Sequence, residues 1–117
     1  MSDYQKEASK FHDALEHDEF ERALSILIPF VEKGDPDAIG QLGVMYQLGY
    51  GVPRNLSKAV EILTRSYELG NGTAAHNLGT IYAMGEEEIS KDRAKSRMYY
   101  NKAKSMGAQF APDEFYV

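Results

Sequence analysis

The feature that most constrains this chain is an internal repeat with a period of 36 residues. Five residues recur at this offset: Ala38, Leu42, Gly43, Tyr46 and Gly49 return as Ala74, Leu78, Gly79, Tyr82 and Gly85. A second set that begins at Ala23 recurs at the same offset, and more weakly after a further 37 residues. A fixed period of this kind is typical of stacked supersecondary units, each of which buries its apolar side only against its neighbours. The chain is therefore predicted to be a row of similar units.

Each unit has the apolar spacing of helices. Ala38, Leu42 and Tyr46 lie four residues apart, and the N-terminal segment from Tyr4 to Leu15 follows the same period. The stretch Gly34-Asp35-Pro36-Asp37 combines a glycine that can end one helix with an N-cap aspartate and a first-turn proline that can begin the next. No strand alternation competes with this pattern, so the fold class is predicted to be all-α.

Capping signals predict where the other helices begin. Asn55 and Asp92 occupy corresponding helix starts, and Asp18 with Glu21 has the spacing of a capping box. Together the signals predict six helices at about 3–16, 18–33, 36–48, 55–69, 73–84 and 92–106. We expect a single domain over residues 1–117, a short α-solenoid of antiparallel helix pairs at about 3–33, 36–69 and 73–106. Residues 108–117 are predicted to cap the last pair with Phe110, Phe115 and Tyr116.

Two kinds of residue conflict with these helices. Gly43 and Gly79 lie at one repeat position inside helices, where glycine costs roughly 1 kcal/mol relative to alanine. Their recurrence predicts that neighbouring backbones approach closely there. Pro29 lies inside the second helix, and since an interior proline removes a hydrogen bond, we expect a kink or an early end of that helix.

Composition excludes several classes of protein. The formal charge of -5, from 18 acidic and 13 basic residues, argues against general nucleic-acid binding, which depends on many Lys and Arg contacts to phosphate. The absence of cysteine excludes disulfides, thiol nucleophiles and thiolate metal sites, and it fits a reducing compartment. No signal-peptide pattern or membrane-length apolar run occurs. We expect a cytoplasmic protein that does not bind membranes.

The stretch from Ala38 to Ala59 carries a recognisable motif. It reads A-x-x-x-L-G-x-x-Y-x-x-G-x-G-V-x-x-N-x-x-K-A, which resembles the Sel-one-like repeat, a relative of the tetratricopeptide repeat. Asn55 stands where that family prefers aspartate, and both residues cap helices. The next unit keeps most of the motif, but Glu87 and Glu88 replace its glycine and valine, so we expect that loop to differ in shape. The first unit has a shorter connection that is closer to an ordinary tetratricopeptide hairpin.

The resemblance implies an α-solenoid that binds proteins or peptides. In related repeats the first helix of each pair lines a shallow curved surface. Transferred to this chain, that surface comprises Gly40, Val44, Gln47 and Leu48 from one unit and His76, Thr80, Ala83 and Met84 from the next. These eight residues are the predicted partner-binding site.

No pattern points to catalysis, a metal or a cofactor. His12 and His17 lie five residues apart, off a shared helical face, and no metalloprotease or calcium-loop motif occurs. The paired glycines lack the strand and lysine context of phosphate-binding loops, and no nucleophile elbow is present. The chain is therefore predicted not to be an enzyme and to bind no cofactor or metal.

Charge is distributed unevenly along the chain. Residues 1–37 carry a net charge of -6, whereas residues 89–105 carry +5. We expect a protein-binding module, and favour an inhibitor or immunity protein that covers a basic toxin or enzyme, because acidic side chains would steer such a partner. The alternatives are an adaptor or scaffold in a bacterial signalling or assembly complex, a small-ligand binder or hydrolytic enzyme, and RNA binding through the basic last helix.

Overall fold

A computed structural model describes residues 2–86 and 88–108. Over these ranges the chain forms six helices and no strand: α1 Asp3–Glu16, α2 Phe20–Glu32, α3 Pro36–Leu48, α4 Leu56–Glu68, α5 Gly72–Met84 and α6 Arg93–Ser105. They pair as the hairpins α1–α2, α3–α4 and α5–α6, and α2 packs on α3 as α4 packs on α5. The first helices also touch each other, α1 with α3 and α3 with α5. The predicted all-α solenoid of three helix pairs is confirmed, whereas residues 109–117 of the predicted cap lie outside the described residues.

Most helix ends follow their capping residues. Gly34 adopts a φ of 81°, and the Asp35 carboxylate accepts hydrogen bonds from the N–H groups of Asp37 and Ala38 at 2.9 and 3.0 Å. The side chains of Asn55 and Asp92 accept from backbone N–H groups three residues ahead, at 2.9 and 3.0 Å. These interactions satisfy N–H groups that have no partner within their own helix. The predicted helix-to-helix corner and both later caps are confirmed.

The capping box predicted at Asp18 and the early helix end predicted at Pro29 are both wrong. Asp18 forms no capping box: it sits in the left-handed region with a φ of 56°, and α2 begins after Glu19, whose side chain makes no capping hydrogen bond. Of the two alternatives predicted at Pro29, the early end is wrong, because α2 continues to Glu32, and the kink stays a prediction. Phe30 and Val31, which follow the proline directly, pack against the first apolar core and hold the last turn in place.

The apolar core consists of two clusters that lie between the hairpins. Aromatic and aliphatic side chains of α1, α2 and α3 form the first, whereas the buried members of the second are aliphatic side chains of α4 and α5. Leu63 and Tyr100, in α4 and α6, are fully buried. Each lies over a glycine of the preceding helix: a Cβ on Gly43 would be 2.7 Å from Leu63 Cγ, and one on Gly79 would be 2.8 Å from Tyr100 Cδ1. Both glycines are closely packed, but the nearest atoms are side-chain atoms and not the backbone atoms that the recurrence predicts.

The loops between paired helices reach back to the preceding hairpin. Tyr50 stacks on Phe20 with ring centroids 4.7 Å apart. The corresponding loop of the last hairpin, between α5 and α6, contacts the preceding hairpin through charged side chains instead. Glu86 accepts a hydrogen bond from Arg54 at 2.6 Å, and Glu88 accepts one from the backbone N–H of Ser57 at 3.0 Å, in the first turn of α4. A carboxylate at a helix N-terminus is electrostatically favourable, so Glu88 stabilises the preceding repeat.

Replacing Gly43 by alanine is expected to lower the free energy of unfolding by up to about 2 kcal/mol, because the added methyl group overpacks against Leu63. The overpacking cost of about 1–3 kcal/mol is offset in part by the roughly 1 kcal/mol that alanine normally brings to a helix. Urea titration followed by circular dichroism measures the change. In a Leu63→Ala background the methyl group has room, so the same substitution should be neutral or stabilising there. An equal loss in both backgrounds would contradict the contact.

Candidate functional site

The first helices of the three hairpins line a common groove with a cavity of about 250 Å³. The lining residues of α1 come from its first three turns, and those of α3 come from its first two and a half turns. Those of α5 come from its first two turns and from its N-cap residue. The lining residues are Tyr4, Gln5, Ala8, His12, Asp37, Gly40, Gln41, Val44, Asn71, Thr73, Ala74 and Asn77. Four side-chain amides, one carboxylate and several small apolar residues therefore face the same space.

A chain of hydrogen bonds centred on Asp37 crosses this groove. The amide of Gln5 donates to Asp37 Oδ2 at 3.1 Å, and the amide of Asn71 donates to Asp37 Oδ1 at 2.7 Å. The side-chain oxygen of Asn71 in turn accepts from the backbone N–H of Ala74 at 2.8 Å, as the N-cap of α5. The first turns of all three first helices are thus joined through one carboxylate.

The identity of the cap at Asn71 follows from this chain of hydrogen bonds. Asn71 lies 36 residues after Asp35, and both side chains cap the first helix of their hairpin. Of the two residue types, asparagine can both accept from its own helix and donate to Asp37, whereas an ionised aspartate has no donor. Asparagine therefore suits the second position, where aspartate would bring two carboxylates together.

Tyr4 supports the groove from below. Its ring is 2% exposed and packs edge-on against Phe11 and Phe30, with centroids 6.3 and 5.7 Å apart. Among the described residues its hydroxyl has no hydrogen-bond partner. Burial, reinforced by the charges of Asp37 and Asp35, raises the pKa of this hydroxyl well above its usual value. Tyr4 therefore remains neutral and acts as an apolar support.

A second, more apolar cavity of about 200 Å³ lies at the other end of α3 and α5. Leu48 and Met84, the last residues of these helices, are 48% and 62% exposed, whereas Leu56 and Ile81 beneath them are almost fully buried. Arg54 closes the rim through its ion pair with Glu86 and through a hydrogen bond from Nε to the carbonyl of Gln47 at 3.0 Å. Two large apolar side chains at equivalent repeat positions are thus left open to solvent.

The eight predicted site residues do not share one site, and seven of them are divided among three places. Gly40 and Val44 line the groove, although Gly40 is buried and offers only backbone. Gln47, Leu48 and Met84 line the apolar cavity, and Ala83 lines neither. His76 and Thr80 instead face the last helix. Their partner-binding role stays a prediction.

The contacts of His76 and Thr80 are with Tyr100. The Thr80 hydroxyl lies 2.8 Å from the Tyr100 hydroxyl, and the His76 and Tyr100 ring centroids are 5.3 Å apart. Burial lowers the pKa of His76, so its neutral form is favoured at this position.

Sequence reasoning missed the polar residues of the groove. Asp37 and Asn71 lie beside helix starts, and nothing in their local sequence marks them as partners of each other. One signal for the groove is present in the sequence: Gln41 and Asn77 are side-chain amides one repeat apart, on the face that carries Val44.

The described parts of the chain also lack certain features. No group of three or more His, Asp or Glu side chains there could hold a metal ion. In the same residues, none of the helices combines the length and apolar character needed to cross a bilayer.

Comparison with known proteins identifies the repeat. The family model for the Sel1 repeat matches residues 36–71 and 72–107, which contain the second and third hairpins. A Sel1 repeat protein from Oxalobacter formigenes has a similar structure, with a TM-score of 0.72 and 28% identity over 84% of this chain and 40% of that chain. A protective antigen of uropathogenic Escherichia coli that displays an SLR fold has a TM-score of 0.67 and 29% identity, over 74% of this chain and 18% of that one. The chain thus spans less than half of either protein. No curated protein matches the sequence.

Replacing Asn71 by aspartate is expected to lower the free energy of unfolding by about 1–3 kcal/mol at neutral pH. Aspartate caps a helix as well as asparagine does, but it cannot donate to Asp37 and it adds a second carboxylate there. The repulsion raises the pKa of the carboxyl pair in the folded state, so the folded variant binds more protons than its unfolded chain. The difference in the free energy of unfolding between variant and wild type therefore becomes smaller as the pH falls towards about 4. Thermal unfolding over a pH series measures it.

The matched control is Asp35→Asn, the same kind of exchange at the equivalent cap one repeat earlier. Asparagine and aspartate are similar caps, so we expect a change within about 0.5 kcal/mol. Equal losses for both substitutions, or a loss at Asn71 that does not depend on pH, would show that Asp37 does not set the identity of this cap.

Proposed function

The chain belongs to the Sel1 repeat family, and from this premise we propose that it is a non-catalytic module that binds another protein on the surface of α1, α3 and α5. Sel1 repeats generally mediate protein–protein interaction, and the family is typically non-catalytic. The observation that carries the proposal is the groove shared by the three first helices, because it is open, continuous across the hairpins and polar at its centre.

The size and chemistry of the groove support a protein partner over a small molecule. Its cavity of about 250 Å³ is below the range of roughly 300–1,000 Å³ that is usual for small-ligand sites. Side-chain amides such as Gln41 and Asn77 can both donate and accept, which suits the alternating N–H and C=O groups of an extended backbone. A partner segment laid along the groove would satisfy them.

Charge supports a basic partner. The segment that forms α1, α2 and the start of α3 carries a net charge of -6, and Asp37 brings one of these charges into the groove. Opposite charge on a partner would speed association, and the effect would weaken with salt. Within the proposed function we favour an inhibitor or immunity protein that covers a basic toxin or effector. A general adaptor in a signalling or assembly complex would instead hold two different proteins at once.

The double variant Gln41→Arg with Asn77→Arg is expected to abolish partner binding, because it fills the groove with bulky positive side chains. The control, Asn101→Arg with Ser105→Arg, adds the same charge at exposed positions of α6. Immobilised proteins are compared for what they retain from host lysate by quantitative mass spectrometry. Retention by wild type and control but not by the groove variant, with loss between about 0.05 and 0.5 M salt, is the expected result. Equal retention by all three proteins would remove the groove as the binding site.

The inhibitor version predicts a functional consequence for the retained partner. Addition of one equivalent of the wild-type chain should suppress the partner's own activity, and the groove variant should leave that activity intact. The assay is a titration of the purified partner with each protein. Undiminished activity in a saturated complex would exclude inhibition and favour an adaptor.

A further inference from the structure

We infer that the partner segment presents a lysine or arginine side chain to Asp37 and a large apolar side chain to the cavity at Leu48 and Met84, with about four residues between the two. This inference rests on the proposed function and specifies the chemistry of the partner. It follows from the chemistry of the groove at Asp37 and of the apolar cavity at Leu48 and Met84, and from the positions of both along α3.

The carboxylate of Asp37 is suited to bind a cationic group of the partner. Among the residues that line the groove, it is the one acidic or basic side chain apart from His12. Its two oxygens accept from the neutral amides of Gln5 and Asn71, and within the described residues no ion pair involves Asp37. A carboxylate can accept about four hydrogen bonds, so roughly two remain for a ligand. An ammonium or guanidinium group supplies both the donors and the opposite charge.

The cavity at Leu48 and Met84 is suited to bind an apolar side chain of the partner. Leu48 and Met84 expose about half or more of their surface, over the buried side chains of Leu56 and Ile81. The charges on the rim are already matched, because Arg54 and Glu86 bind each other. An entering leucine, methionine or phenylalanine would cover the exposed side chains without leaving a polar group unpaired. Methionine adapts readily to the shape of such a ligand.

The distance between the cavities sets the spacing. Asp37 and Leu48 lie eleven residues apart on α3, which is close to three full turns, so both positions fall on nearly the same face. At about 1.5 Å per residue their separation along the helix is roughly 16 Å. An extended chain covers about 3.3 Å per residue, so five steps span this distance. Val44 and Gln47 line the surface between the two points and keep it continuous.

The test selects random peptides of about twelve residues, displayed on phage, against the immobilised full chain; about twelve extended residues are long enough to span both cavities. We expect enriched peptides to carry Lys or Arg and a large apolar residue four to six positions apart. Peptides selected on Asp37→Asn should lose the preference for Lys or Arg and keep the preference for a large apolar residue. Peptides selected on the double variant Leu48→Gln with Met84→Gln should keep the preference for Lys or Arg and lose the apolar preference. Asp35→Asn, which retains its helix cap, is the matched control and should retain both preferences.

Synthetic versions of the enriched peptides then give affinities by calorimetry. We expect Asp37→Asn to weaken binding about ten- to hundredfold, in line with loss of a hydrogen-bonded charge. Circular dichroism checks that each variant is folded. Should Asp37→Asn prove unfolded, Gln41→Lys provides the same test, because its own ammonium group would occupy the place of the ligand's cation.

The outcomes separate this inference from the function on which it rests. Peptides that lose binding on the Gln41→Arg and Asn77→Arg variant but carry no basic residue, or bind Asp37→Asn equally well, would overturn the inference and leave the groove as a binding site. Enriched peptides that bind the groove variant as tightly as wild type, or no enrichment at all, would count against the proposed function and the inference together.

Discussion

The contact between a glycine in one helix and a large buried side chain in the next sets the geometry of the solenoid. Leu63 lies over Gly43, and Tyr100 lies over Gly79, at distances that leave no room for a methyl group. The second and third hairpins are therefore closely packed internally, and their remaining apolar sides are covered by the neighbouring hairpins. Because two hairpins repeat the same contact, their first helices line up on one side of the molecule, and this side is where the groove forms.

The hairpins are joined by polar contacts that differ from one repeat to the next. Asp37 accepts hydrogen bonds from the first helices on either side, while Arg54 and Glu86 link successive loops near the opposite ends of those helices. Both contacts leave part of their surroundings open, one as a polar groove and the other as an apolar cavity. The contacts of Asp37 and of Arg54 with Glu86 thus join neighbouring repeats and also border the polar groove and the apolar cavity.

Local signals predicted most helix starts correctly and failed at Asp18 and at Pro29. The caps at Asp35, Asn55 and Asp92 were readable because a short polar side chain there serves its own helix. Asp18 had the right spacing for a cap, but the corner places it in the left-handed region instead. Pro29 should weaken α2, yet the packing of the residues that follow it keeps the helix going. At Pro29 the tertiary packing outweighs a local preference of about 3 kcal/mol. At Asp18 the outcome is local, because the N–H groups of Asp18 and Glu19 donate back to Leu15 and Ala14 and close the C-terminus of α1.

The sequence by itself determined the period, the six helices and the family, since repeated small and aromatic residues at helical spacing leave few other ways to bury apolar surface. The resemblance to known repeats also predicted that the first helices bind the partner, and this stays a prediction. Only the tertiary structure decided which of their residues share a site: His76 and Thr80 turn to Tyr100, whereas Gln5, Asp37 and Asn71 meet across three hairpins. The physical reason is that such hydrogen bonds join residues more than thirty positions apart, whose positions depend on how closely the helices pack.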